Sequence, residues 1–344
     1  MFPMRQISFR KTLLIALSTL LVVGSIVAAL GYAQFCGNAL REPCELYVSR
    51  RSDYRMLTDS LLPHLRHKAA FRLYAKRLNL AESFKPGHYV LQPKMSVIAI
   101  VRTLKLGLQT PVRVTINNVR TMPQLAGRLA GQIDADSLEL LQVLTDRATA
   151  ERVGMDSLTL FSLFLPDTYE CYWTTTPDAF VDRMKREYDR FWTGERDAAR
   201  RRSGLSRLGV MTLASIVYEE TRQTDEMPRV AGVYINRLRK GMKLQADPTV
   251  KYALQDFTLR RILNKHLATP SPYNTYVNVG LPPSPICMPG KKAIEAVLRF
   301  EQHDYLYFCA RPTFDGYHNF ARTYAEHLRN ARAYAAELNR RKIK

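Results

Sequence analysis

The chain has 344 residues, 46% of them hydrophobic and 10% aromatic, which is enough apolar material for one large domain or two ordinary ones and excludes a disordered chain. Its 51 basic residues against 31 acidic ones leave a net charge of +20, which points to a polyanionic or acidic neighbour: nucleic acid, phospholipid or an acidic wall polymer. The five cysteines are too few for a disulfide scaffold, and none form a CxxC zinc pair.

The N-terminus chooses among these neighbours. Arg5, Arg10 and Lys11 precede an uncharged, mostly aliphatic run from Leu13 to Ala33, long enough to cross a bilayer. A positive flank on the N-terminal side predicts that residues 1–11 stay in the cytoplasm, that 12–33 anchor the chain, and that nearly all of the rest is delivered across the membrane. Nucleic acid is thereby excluded as the partner. Gly31 and Ala33 are small enough for a cleaved signal, but the apolar run is longer than such signals use. Cys36 and Cys44 follow at once and are a candidate pair in an oxidising compartment, whereas Cys171, Cys287 and Cys309 sit in apolar surroundings as buried thiols.

Cys44 to Val48 reads as a short strand. Asp53 to Leu78 is helical in pattern, with Leu57, Leu61, Leu65, Phe71 and Leu73 apolar and a solvated basic face between them. Pro86-Gly87 makes a turn into a strand ending near Gln92, and Ser96 to Leu106 returns to helix with Gly107 as its stop. Strand, helices and strand predict a small α+β module over 34–110.

A larger mixed α/β domain is predicted over 111–344. It opens with a strand over 111–116 and helical patterns over 122–144. Leu163 to Trp173 reads as a Pro-interrupted aromatic loop, Thr175 to Trp192 as a helix, and Arg200 to Arg207 as a basic joint. In the following helix Leu213, Ile216 and Val217 form an apolar stripe, and Glu220 falls on that same stripe. Glu219 projects about 100° away, with Thr212 and Ser215 on the polar face and Arg222 at i+3. A second helix starts at Pro228, carries Val230, Val233, Tyr234 and Leu238 as its apolar stripe, and stops at Gly241, so the two form a helical hairpin. Gln245 to Thr249 reads as a polar turn, 269–276 and 280–290 as loops, 291–298 as a helix, 305–310 and 318–320 as paired strands, and 323–338 as a terminal helix.

The sequence contains no GxSxG, Walker loop, GxGxxG or HExxH, so no cofactor or metal is expected and carboxylate chemistry remains. A carboxyl on an apolar face is disposed to act as a general acid, because desolvation disfavours its anion. The competing reading is a buried ion pair with Arg237 on the next helix. A two-carboxylate glycosidase needs a partner acid, for which Asp247 and Asp167 are candidates although both also suit turns. Tyr273 and Asn274 are placed to stack on and hydrogen-bond a sugar.

The runs LASIVYEET, VAGVYINRLRKGM, LQADPTVKYAL, SPYNTY, GLPPSPICMPG and DYLYF, in this order, resemble the YceG-like (MltG) family of endolytic murein transglycosylases. FKPGHYVLQPKM resembles the end of that family's LysM-like module, and LFLPDTYECY its FPDTY loop with Leu165 at the Phe position. The resemblance implies a bacterial inner-membrane protein that cuts nascent peptidoglycan strands on the periplasmic side and associates with peptidoglycan synthases. The family's catalytic glutamate, directly before Thr, falls on Glu220, with Asn236, Gln245, Asp247, Thr249, Tyr273, Asn274 and Thr275 lining the sugar cleft. His318 and His327 match family positions and read as supports of the fold. Tyr218 replaces a family glutamate and Phe161 an acidic residue, so a mechanism needing a second acid at either place is not available. One carboxyl suffices for the implied reaction, protonating the glycosidic oxygen and then taking the muramyl C6 hydroxyl proton to close a 1,6-anhydro ring. A silent glycan-binding scaffold and a true hydrolase with Asp247 or Asp167 as base are the alternatives.

Overall fold

A computed structural model describes residues 9–259 and 261–341, so most of the predicted cytoplasmic flank lies outside the described residues. The molecule is mixed α+β, with sixteen α-helices and three two-stranded sheets among the described residues. It divides into two compact units, one of residues 1–113 with 170–175 and the other of 114–169 with 176–344.

The first unit begins with helix α1 (Phe9–Cys36), whose 26 residues from Lys11 are long and apolar enough to cross a membrane. Strand β1 (Cys44–Val48) pairs antiparallel with β2 (Gly87–Leu91), Cys44 opposite Leu91 and Val48 opposite Gly87. Its alternating pattern turns Cys44, Leu46 and Val48 into the core and Glu45 and Tyr47 outward. Cys44 is thus a buried free thiol and Cys36 an exposed one, and the candidate pair is not formed. Between the strands, α2 (Tyr54–Leu61) is capped by the Asp53 carboxylate accepting from Met56 N–H at 2.7 Å. Pro63 breaks the helical stretch into α2 and α3 (Lys68–Arg77), with α4 (Leu80–Ser83) after them. Helix α5 (Val97–Leu106) runs between a Ser96 cap and Gly107 at φ +69°, the stop read from the sequence. Leu61, Leu65, Phe71, Leu80, Tyr89, Leu91 and Ile100 fill the core.

Strand β3 (Val112–Ile116) pairs with β4 (Asp167–Cys171). The expected aromatic loop therefore contains a strand: Pro166 stands just before it, where the missing N–H costs nothing, and Tyr169 and Cys171 alternate inward. The stretch 122–144 is two helices, α6 (Met122–Leu129) and α7 (Ser137–Thr145), parted at Gly131 with φ +82°. After α8 (Arg147–Arg152) and α9 (Pro177–Phe191), the basic joint is helical as far as Ser203 and breaks at 204–206. Helix α10 (Glu195–Ser203) opens on Glu195 and Asp197 and closes on Arg200, Arg201 and Arg202, an arrangement that suits the helix dipole, and Gly204 terminates it at φ +76°.

Helices α11 (Arg207–Glu220) and α12 (Met227–Arg239) form the hairpin. The polar face expected on α11 is absent: every residue from Gly209 to Val217 is buried, Thr212 and Ser215 included. Ser215 is satisfied locally, donating to Thr212 O at 2.7 Å and accepting from Ile286 N–H at 3.0 Å. A covering segment makes this burial possible: 280–290 and α15 (Lys291–Leu298) pack across the hairpin. The expected polar turn is the start of α13 (Asp247–Leu254), with Pro248 in its first turn and Gln245 at φ +53° just ahead of it. The short α14 (Asn264–Leu267) precedes the 269–276 loop. Strands β5 (Tyr307–Ala310) and β6 (His318–Ala321) pair antiparallel, and α16 (Tyr324–Arg340) closes the chain.

One glycine decides how closely α12 approaches the segment that follows α15. A Cβ on Gly232 would lie 2.5 Å from the Glu301 carbonyl oxygen and 2.6 Å from His303 Nε2, which itself donates to Arg229 O. Gly232→Ala is expected to lower stability by about 1–3 kcal/mol, because a backbone atom must move to admit the methyl. Urea unfolding of the variant beside Gly127→Ala, whose Cβ would meet nothing within 4 Å, checks this; equal losses would refute the close-packing account.

Candidate active site

Glu220 is the last residue of α11, where the helix leaves the packed interior and its side chain enters a cavity of about 420 Å³. The cavity is walled by α12, the start of α13, the 269–276 loop, the β5–β6 hairpin and α16, which supply Tyr234, Arg237, Gln245, Asp247, Tyr276, His318 and His327. The carboxyl is half-buried, and the Tyr234 hydroxyl donates to its Oε1 at 2.7 Å. Burial raises its pKa to about 7; the Tyr234 hydrogen bond opposes the rise, Asp247 adds to it, and the charges of His318 and Lys251 oppose it. The carboxyl is thus poised to give and accept a proton near neutrality.

The ion pair between Glu220 and Arg237 is not made. Arg237 donates to the carbonyls of Leu306 at 2.6 Å, Lys243 at 2.9 Å and Leu244 at 3.0 Å, and to Gln245 Oε1 at 3.2 Å. Its guanidinium also lies over the Tyr307 ring at 5.1 Å. It therefore ties α12 to the loop before α13 and to the start of β5. Glu219 faces elsewhere, as its helical phase requires, but its partner is Arg120 at 3.0 Å rather than Arg222, whose guanidinium lies over Tyr218.

Of the predicted cleft residues, Gln245 and Asp247 line the cavity with Glu220. Asp247 is exposed and accepts from the Tyr276 hydroxyl at 2.6 Å, an interaction that with burial drives the phenol well up. The others are bonded into the walls. Asn236 donates to the carbonyls of His303 at 2.6 Å and Tyr305 at 3.1 Å, holding the segment that enters β5. Thr249 and Thr275 hydroxyls meet at 2.8 Å, and Thr275 Oγ1 accepts from Ala246 N–H. The buried Asn274 amide donates to Leu267 O and Thr269 O, each at 2.9 Å. Tyr273 lies against Tyr252 and shares a hydrogen with Ser284 at 2.6 Å. Asp167 is remote from this cavity; it pairs with Lys291, which lowers its pKa, and lines a separate pocket of about 200 Å³.

Sequence reasoning missed Tyr234 and Tyr276 as site residues and took His318 and His327 for supports. All four line the cavity. A phenol on a buried helical stripe needs a partner for its hydroxyl, and that requirement was a usable signal for Tyr234. No groups of His, Cys, Asp and Glu suited to hold a metal ion occur among the described residues.

Fold and site together define a mixed α+β protein in which two carboxyls line a polar cavity and one of them, Glu220, has its pKa raised to about 7. The chain belongs to the YceG-like family, whose model matches residues 46–333. It is 29% identical over 292 residues to the endolytic murein transglycosylase of Bacillus subtilis strain 168, covering 80% of this chain and 79% of that protein. It is 29% identical over 297 residues to the endolytic murein transglycosylase of Streptococcus pneumoniae strain D39, covering 77% of this chain and 53% of that longer protein. The crystal structure of a YceG-like protein from Listeria monocytogenes superposes with a TM-score of 0.55 at 27% identity, covering 84% of this chain and 99% of that one.

The raised carboxyl has a consequence for stability that needs no substrate. Unfolded, Glu220 ionises in the ordinary carboxylate range; folded, it holds its proton to about pH 7. Stability from the neutral acid is complete below the unfolded pKa and is lost as pH rises through about 7. Glu220→Gln, neutral throughout, is expected to gain about 1–3 kcal/mol over the wild type on moving from about pH 5 to about pH 8 in urea unfolding. A difference independent of pH would contradict the burial of Glu220.

Proposed function

We propose that the chain is an endolytic murein transglycosylase that cleaves the bond between N-acetylmuramic acid and N-acetylglucosamine in nascent glycan strands without water, leaving 1,6-anhydro-muramyl ends and terminating strand elongation. The observation that carries this reading is Glu220 itself: one carboxyl with its pKa raised to about 7, in a cavity with hydroxyl and amide groups on its walls. The names of the B. subtilis and S. pneumoniae relatives support the substrate and the reaction class.

In this mechanism the Glu220 carboxylic acid protonates the glycosidic oxygen, which leaves as the N-acetylglucosamine hydroxyl while positive charge develops at muramyl C1. The resulting carboxylate then removes the proton from the muramyl C6 hydroxyl as that oxygen bonds to C1. The proton returns to Glu220 and no water is consumed. Tyr234 holds the carboxyl in place through both steps and moderates its basicity. Gln245 and Asp247 face the sugar, with Asp247 supporting the oxocarbenium-like charge. Asn236, Thr249, Tyr273, Asn274 and Thr275 fix the walls at which the sugar is oriented.

The same reading takes 12–33 as a single-pass inner-membrane anchor with residues 1–11 in the cytoplasm, 34–110 as a LysM-like module, and 111–344 as the periplasmic catalytic domain containing the α11–α12 catalytic hairpin. Glycan-polymerising synthases are its proposed neighbours. A second reading rests on Asp247, a second carboxylate in the same cavity: with Asp247 activating a water, the enzyme would be a hydrolytic muramidase.

Digestion of uncrosslinked glycan strands by the full chain in detergent, followed by mass spectrometry, separates the readings. Anhydro ends are expected; products heavier by one water would mean hydrolysis, and an absence of products would mean a glycan-binding scaffold. Glu220→Gln is expected to lose about 10²–10⁴-fold in cleavage rate. Wild-type rates from that variant would remove Glu220 from the mechanism.

A further inference from the structure

Beside the site lies a carboxylate–imidazole arrangement that the proposed reaction does not use. Glu226, at the N-terminal boundary of α12, would ordinarily cap that helix or face water, yet it is 3% exposed and makes no side-chain cap. Its carboxylate accepts three hydrogen bonds instead: from His318 N–H at 2.8 Å, from His318 Nδ1 at 2.7 Å and from the Thr221 hydroxyl at 3.3 Å. Thr221 is the residue directly after Glu220. One buried carboxylate therefore clamps strand β6 to the end of the helix that carries the reacting acid.

The clamp also fixes the imidazole. Nδ1–H is given to Glu226 and the Phe308 ring stands edge-on at 5.2 Å, so the ring cannot rotate freely, and His318 is held as a lining residue of the cavity. The groups around Glu220 then oppose one another: Asp247 from α13 and the phenols of Tyr234 and Tyr276 on one side, His318 from β6 and Lys251 from α13 on the other. Arg237 is spent on carbonyls, and burial together with Arg237 lowers the pKa of His327.

We propose that Glu226 and His318 form a positioning pair for the reaction, in which the buried carboxylate fixes the imidazole and the imidazole's charge sets the balance between the acid and carboxylate forms of Glu220. The role follows from the two-step chemistry: an acid held too firmly protonated would fail to take the C6 proton, and a counter-charge in the wall makes the second step accessible. The inference rests on the transglycosylase reading.

The test is the pH dependence of glycan cleavage by the full-length protein in detergent. The alkaline limb of kcat/KM reports loss of the protonated acid. His318→Gln is expected to move that limb upward by on the order of one pH unit, since a positive neighbour is removed. Glu226→Gln is expected to move it the same way, and the double variant no further, because both act through one ring. Asp247→Asn is expected to move it downward. A role confined to folding would lower the plateau and the melting temperature while leaving the limb in place, and that result would overturn the proposal. If His318→Gln does not fold, the near-isosteric Glu226→Gln decides the matter by itself. A wild type that yields no cleavage, or a limb unaffected by Asp247→Asn, would overturn the assignment of Glu220 and this inference with it, whereas a limb that responds to Asp247→Asn but not to His318→Gln or Glu226→Gln would overturn only the positioning pair.

Discussion

The second unit is organised by one requirement, that a carboxyl leave water without acquiring a cation. A buried glutamate with a guanidinium beside it is an anion at all working pH values, and one with no partner at all carries an unsatisfied polar group. Glu220 avoids both outcomes through Tyr234, a neutral donor one helix away that satisfies an oxygen without fixing its charge. The geometry demands two helices packed side by side, which is why α11 is buried almost throughout and why the 280–290 segment and α15 cover it.

Around that contact, polar residues fall into two groups by where their hydrogen bonds go. Gln245, Asp247 and Tyr276 turn toward the cavity, whereas Asn236, Thr249, Asn274 and Thr275 are engaged by backbone or by one another. A wall built from such bonded pairs keeps its shape when the cavity fills, because no donor or acceptor must be surrendered to a ligand. The side chains facing the cavity are then few, and two of them are held by a second carboxylate: Tyr276 by Asp247, His318 by Glu226.

What the sequence made legible was local. The stops at Gly107 and Gly241, the start of α12 at Pro228 and the helical phase separating Glu219 from Glu220 all depend on residues within one or two turns. What stayed hidden depends on distant chain. Thr212 and Ser215 look like a solvated face until the 280–290 segment covers them; Arg237 looks like the partner of Glu220 until the carbonyls of 243–244 and 306 take its donors. The return of 170–175 to the first unit leaves no periodic trace at all. The family motifs named the right stretches of chain, yet a motif does not distinguish a residue that faces the cavity from one that braces it.

The treatment of Arg237 bears on how this protein responds to its surroundings. Its charge is offset by carbonyl dipoles and an aromatic face, neither of which changes charge near neutrality, and the threonine and asparagine bonds nearby are equally indifferent to acidity. The framework on that side of the cavity is therefore inert across the range in which Glu220 exchanges its proton. Acidification or salt in the medium reaches the reacting group through a few identified neighbours, while the architecture that aims it stays constant.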